Sequence, residues 1–153
     1  MGELKEIGFI PSVPFVSETS TTREQIVDDE TKKILYVQTH GVDMPERSAT
    51  PFYLAAAGAA MDAEVGIYFT MNGPTLLQKG VPEKLIVPKK GGGGKELAFF
   101  IKQAVDCGVR LYVCQPSLDL HALKIEDLID GVEMIGGAAF NDMALNADAV
   151  IAF

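Results

Sequence analysis

Five short apolar runs divide this sequence at intervals too long for hairpins and long enough for a helix between each pair. They are Lys33 to Thr39, Glu64 to Thr70, Val109 to Cys114, Val132 to Ile135 and Asp148 to Phe153. The runs are mostly apolar rather than alternating, as strands buried on both faces are, and glycine-containing turns such as His40-Gly41, Asn72-Gly73 and Gly136-Gly137 close three of them. The segments between read as helices. Pro45 to Met61 offers Pro51 for a first turn, Thr50 or Ser48 as cap, and an alanine-rich face suited to lying close on a sheet. Lys95 to Cys107 carries Leu97, Phe100, Ile101, Ala104 and Val105 at helical spacing, with Gly108 to end it. Ala138 to Ala147 is a final helix, whereas Pro74 to Lys79 and Ile125 to Ile129 allow only short helical pieces. Val81 to Gly94, with two prolines and four consecutive glycines, reads as a loop. This alternation predicts one α/β domain over residues 32–153: a three-layer αβα sandwich around a five-stranded, mainly parallel sheet of flavodoxin-like or Rossmann-like type.

Composition narrows the class further. The chain has 153 residues, of which 48% are hydrophobic and 22% charged, so it can bury a core without metal or disulfide staples. Its formal charge of −8 provides no positive field for a phosphate backbone, which argues against nucleic acid as a partner. Met1 to Ile10 has no basic and apolar leader pattern, and no apolar run approaches the ~20 residues that span a bilayer. The expected setting is the cytoplasm. Residues 1–31 differ in composition and read as an N-terminal extension whose stretch Ile7 to Val16 is apolar, broken by two prolines, and suited to an extended arm.

Ligands of open parallel sheets bind beyond the carboxyl ends of the strands, so the residues just after each strand are the first candidates. Among these Cys114 is the one strong nucleophile, and Pro116 behind it suits the first turn of a short helix. Free N–H groups at a helix start favour thiolate over thiol. Cys107 ends the preceding helix, roughly 20 Å from Cys114 along the strand between them, too far for a disulfide. It is expected to be a small packing residue. His121, seven residues beyond Cys114, is a candidate to lower the thiol pKa or relay a proton. His40, Gln115, Ser117 and Lys95 are further candidate helpers, Lys95 together with Lys89 and Lys90 as a local positive field. Gly91 to Gly94 invites a small-anion or nucleotide-binding reading, but neither GxxxxGK[ST] nor GxGxxG is present. Two histidines and two cysteines without ligand spacing predict no metal and no cofactor.

The stretch Gly108-Val-Arg-Leu-Tyr-Val-Cys114 resembles the strand and cysteine of the DsrE/DsrF/TusD family of sulfur-relay proteins. So do the helix Lys95 to Cys107 before it, Gln115-Pro-Ser-Leu-Asp, Glu126 to Glu133, and the closing Ala147 to Phe153. The resemblance implies a DsrE/YchN-like fold and a sulfurtransferase or sulfur carrier. In such a protein Cys114 takes up sulfane sulfur as a persulfide or thiosulfonate and passes it to a partner thiol, the donor being another protein thiol or a small sulfur compound. It also implies a homotrimer or hexamer. Two readings from other classes stand beside it: a non-catalytic small-anion or nucleotide-binding or assembly module, and a thiol redox sensor working between subunits.

Overall fold

The computed structural model describes residues 30–153, so all but the last two residues of the expected N-terminal extension, including the Ile7 to Val16 stretch, lie outside the described residues. The five expected strands are present: β1 Lys33–Gln38, β2 Glu64–Phe69, β3 Arg110–Cys114, β4 Val132–Ile135 and β5 Ala149–Ala152. They form one sheet in the order β4-β3-β2-β1-β5, with every neighbouring pair parallel.

This order dictates the layers. From β1 to β2, β3 and β4 the chain steps three times in one direction, and right-handed crossovers then place all three connections on the same face. These carry α1 (Thr50–Ala60), α2 (Leu97–Asp106) and α3 (Gln115–Leu120). The fourth crossover runs back from β4 to the far side of β1, so its helix, α4 (Gly137–Leu145), covers the opposite face alone.

Strand parity sorts the side chains accordingly. Tyr36, Val65, Ile67, Phe69, Leu111 and Val113 point toward α1 and α2 and form the main core with Phe52, Ala55, Leu97, Ile101 and Ala104. The Phe52 and Phe69 rings meet at 5.6 Å. The other parity, Leu35, Val37, Tyr68 and Tyr112, packs beneath α4 with Ile135, Phe140, Met143, Ala144 and Ala147. Gly58 lets α1 approach the sheet as its alanines anticipate, since a Cβ there would press on Val65 and Ile34. At the carboxyl ends of β1 and β2 the backbones come closer still. A Cβ on Gly41 would strike the Asn72 carbonyl, and one on Gly73 the Gln38 carbonyl.

Several local expectations are corrected. The helix expected over Pro45 to Met61 is split into a single 3-10 turn at Pro45–Arg47 and α1 proper. Neither Thr50 nor Ser48 caps it: Ala49 occupies the cap position, Thr50 is already helical, and the Ser48 hydroxyl donates to the Pro45 carbonyl at 2.7 Å. Pro51 does sit in the first turn. Cys107 is not a packing residue, because as the cap of α2 it lies past the last buried turn and is exposed. The glycine-rich loop contains an antiparallel bridge from Ile86 to Glu96, with Val87 N–H donating to the Lys95 carbonyl at 2.8 Å. Gly91, Gly92 and Gly93 form its tip with positive φ. Among the described residues no helix is long and apolar enough to cross a membrane.

Candidate functional site

Cys114 is the last residue of β3 and the cap residue of α3, whose first turn carries Pro116. Register settles which way it faces. Tyr112 pairs with Tyr68, both on the α4 face, and Cys114 shares that parity two residues further on. The thiol is half-buried at the carboxyl edge of the thinly covered layer, in register with Ile135 of β4 and packed against the cluster that holds Tyr68 and Tyr112.

Three hydroxyls converge there, from Tyr68 of β2, from Thr70 just beyond β2 and from Ser117 of α3. Burial pushes the Cys114 thiol up, but hydrogen bonding to sulfur from the Tyr68 hydroxyl, the Ser117 hydroxyl and N–H, and the Thr70 hydroxyl outweighs it, leaving the pKa below its ordinary 9.0. The N–H contribution has a local cause: Pro116 has no N–H, so the next residue supplies the donor. Tyr68 moves the opposite way. Burial first, then its bond to Cys114 and the sulfur's charge, raise its pKa far above the usual phenol range, so it stays protonated.

Ser117 is itself fixed. It is 5% exposed, its Oγ accepts the Met71 N–H at 2.8 Å, and it shares a hydrogen bond with Thr70 Oγ1 at 3.3 Å. Met71 adopts φ 54°, a left-handed conformation costly for any residue but glycine. Ser117 on its N–H and His121 Nε2 on its carbonyl, at 2.9 Å, pin it from both sides.

The expected helpers therefore divide. Ser117 stands at the sulfur. His121 does not: its ring is engaged with the Met71 carbonyl, one residue outside the hydroxyl cluster. Gln115 opens α3 with an exposed side chain. His40 lies beyond β1, two strands or roughly 10 Å from Cys114 at sheet spacing, and meets Thr39 and the Arg47 guanidinium at 3.2 and 3.3 Å. Lys95 stands over the Phe99 ring at 3.7 Å, on the helix layer across the sheet. Lys89 flanks the glycine tip, where its carbonyl accepts the Gly92 N–H at 3.0 Å, and Lys90 beside it is exposed. Gly94 backs onto the Val87 carbonyl, so the glycines make a hairpin tip rather than an open anion cradle. Tyr68 and Thr70 were not singled out from the sequence. Their signal was parity within β2, which becomes informative only once β2 is known to pair with β3.

A second cleft, about 210 Å³, lies at the other end of the same layer. Lys33, Glu64, Arg110, Tyr112 and Asp142 line it, roughly 13 Å from Cys114 along β3. Its charges are largely paired, Arg110 with Glu133 at 2.8 Å and Lys33 with Glu64 at 3.9 Å. Among the described residues no group of three or more His, Cys, Asp or Glu side chains is placed to hold a metal ion.

Comparison with known proteins follows the same residues. A family model described as DsrE/DsrF-like matches residues 32–153. Sulfur carrier protein DsrE2 of Allochromatium vinosum is 26% identical, over 78% of this chain and 96% of its own length. An uncharacterized protein of Methanocaldococcus jannaschii is 23% identical over 71% of this chain, which spans only 38% of that longer protein. Among solved structures, the ychN protein from E. coli superposes with a TM-score of 0.66 at 21% identity, covering 80% of this chain and all of the other. A protein of unknown function from Methanobacterium thermoautotrophicum gives 0.54 at 13% identity, with 81% and full coverage. Both likenesses concern the fold.

Proposed function

The chain belongs to the DsrE/DsrF-like family, and on that premise we propose that it is a sulfur carrier whose working atom is the Cys114 sulfur. The observation that carries the reading is the convergence of neutral hydroxyl donors on a half-buried thiol, at the edge where parallel sheets hold their ligands. The similarity to a protein named as a sulfur carrier supports the same direction.

In the loading step the Cys114 thiolate attacks the outer sulfur of a donor persulfide. Its electron pair forms the new S–S bond, the donor's S–S bond breaks, and the donor leaves as a thiolate. Charge and oxidation state balance without an external oxidant. Ile135 on the neighbouring strand and the cluster of Tyr68 and Tyr112 keep one side of the product dry, which slows hydrolysis and over-oxidation of the persulfide. Unloading is the same exchange with a partner thiolate as attacker. A protein thiol or a small sulfur compound fits either role, and the reducing cytoplasm is the compartment in which such a thiol stays available. Apolar side chains remain exposed on the α4 layer, including Leu145 and Val150, with Met134 exposed on the other face of β4, and they fit assembly of copies into a trimer or hexamer.

The test is intact mass after incubation with a persulfide donor or thiosulfate. Wild type and Cys107→Ser gain one sulfur species that dithiothreitol removes, and Cys114→Ser gains none. Loading of Cys114→Ser to the wild-type extent, or no loading of wild type, rejects the mechanism. Sedimentation velocity on the same wild-type sample reads the assembly state.

A further inference from the structure

We propose that Tyr68 is a second catalytic residue at this site, its buried hydroxyl holding the sulfur anion of Cys114 and above all the anion released when sulfur is handed on. The inference rests on the sulfur-carrier reading for its chemistry but not for its geometry. Tyr68 is 5% exposed, and its ring is stacked on Phe140 at 4.4 Å with 28° between planes. Its strand partner is Tyr112, so it lies diagonally from Cys114 on one sheet face, a separation that an aromatic side chain spans. Cys114 packs against the buried cluster that contains Tyr68, which brings the phenol to the sulfur's side of the sheet. A hydroxyl held there gains most by donating to the sulfur, since a buried polar group is costly unless it is bonded.

Tyr68 leads the hydroxyl donors that act against burial at the sulfur, ahead of Ser117 and Thr70. The neighbouring elements supply Thr70 from the end of β2, the Ser117 hydroxyl and N–H from α3, Ile135 from β4 and Phe140 from α4. Tyr68 is the ionisable side chain among the groups that chiefly act on the sulfur, and His121, the nearest histidine along the chain, is spent on Met71. A neutral donor that stays protonated has a particular kinetic signature. Lowering a thiol's pKa raises its thiolate fraction but weakens it as an attacker, whereas it always improves the thiol as a leaving group. In unloading, the partner thiolate attacks the outer sulfur, the bond to Sγ breaks, and its electron pair returns to Sγ beneath the Tyr68 hydroxyl. The outer sulfur departs on the partner with its proton. Removing the hydroxyl therefore slows unloading more than loading.

The experiment compares Cys107→Ser with Cys107→Ser/Tyr68→Phe, which leaves the ring and its Phe140 stack in place. The pH dependence of Cys114 alkylation by iodoacetamide is followed first. The midpoint rises by about one pH unit in the Tyr68→Phe protein, the size expected for one hydrogen bond to an anion. Persulfide transfer from the loaded protein to a small acceptor thiol then falls about tenfold, and loading falls less. An unchanged alkylation midpoint overturns the proposal, as does loss of loading and unloading in equal measure. Should Tyr68→Phe fold poorly, Phe140→Leu, which loosens the stack but keeps the hydroxyl, is expected to shift the midpoint partway, and no shift overturns it. If the parent takes up no sulfur, the carrier reading fails, while the alkylation midpoints still decide whether Tyr68 acts on Cys114.

Discussion

The two faces of the sheet are built to different standards. The face under α1 and α2 is a closed aliphatic and aromatic core: Phe52, Ile67, Phe69, Leu76, Leu97 and Val113 are all fully buried. The face under α4 has four buried residues, two of them tyrosines, and its helix contributes none that is fully buried. Cys114, the hydroxyl cluster and the left-handed Met71 all belong to the second face or its rim. Stability is concentrated on one side, and polar groups and strain are tolerated on the other, because a site needs access and an imperfectly filled layer provides it.

Substitutions can break or sharpen that contrast. The largest effect is expected from Phe69→Ala on the closed face, about 3–5 kcal/mol lost by the usual cost of emptying an aromatic site in a rigid core. Phe140→Ala on the open face is expected to cost clearly less, because the half-exposed ring leaves a gap that water reaches. Denaturant unfolding of both proteins measures the pair, and equal losses would remove the distinction between the faces. Next is Met71→Gly, expected to stabilise by about 1 kcal/mol through relief of the left-handed backbone. If instead it destabilises, the exposed Met71 side chain contributes packing that outweighs the strain. The smallest effect concerns Asp148, which anchors the start of β5 through the Lys33 N–H at 2.8 Å and the Lys32 ammonium at 2.9 Å. These hold its carboxyl below the ordinary 3.8. A folded pKa below the unfolded one means that the contribution is complete above the unfolded value and is lost as pH falls through the folded value. Asp148→Asn should therefore lower stability slightly at neutral pH, where the wild-type contribution is complete, and flatten the acid limb of a stability–pH curve, so that the two proteins converge at low pH.

How far the sequence alone reached depended on how local each signal was. The strands were legible because buried parallel strands carry their apolar character in consecutive residues, and Cys114 because it ends one of them. The cap of α1 was misread because a serine two residues before the helix turned its hydroxyl back to Pro45, a choice that depends on the preceding turn. Cys107 was placed inside because cysteines usually are, whereas its position past the last buried turn of α2 exposes it. Tyr68, Thr70 and Met71 stayed invisible for a different reason. Each matters through a neighbour 46 or more residues away or on an adjacent strand, and pairing of that range leaves no mark in either segment.

The strand order also has a consequence for how the chain is made. β1 is made before the other four strands, and β2 follows soon enough to cover one of its edges. Its other edge waits for β5, and the bond that starts that pairing, from Lys33 to Asp148, joins residues 115 apart. Until residues 149–152 leave the ribosome, a strand that is interior in the final sheet is an open edge, able to pair with a neighbouring nascent chain. The late return of β5 makes the closing of the sheet the slow, long-range event in folding, and the period before it the one in which a chaperone would matter most.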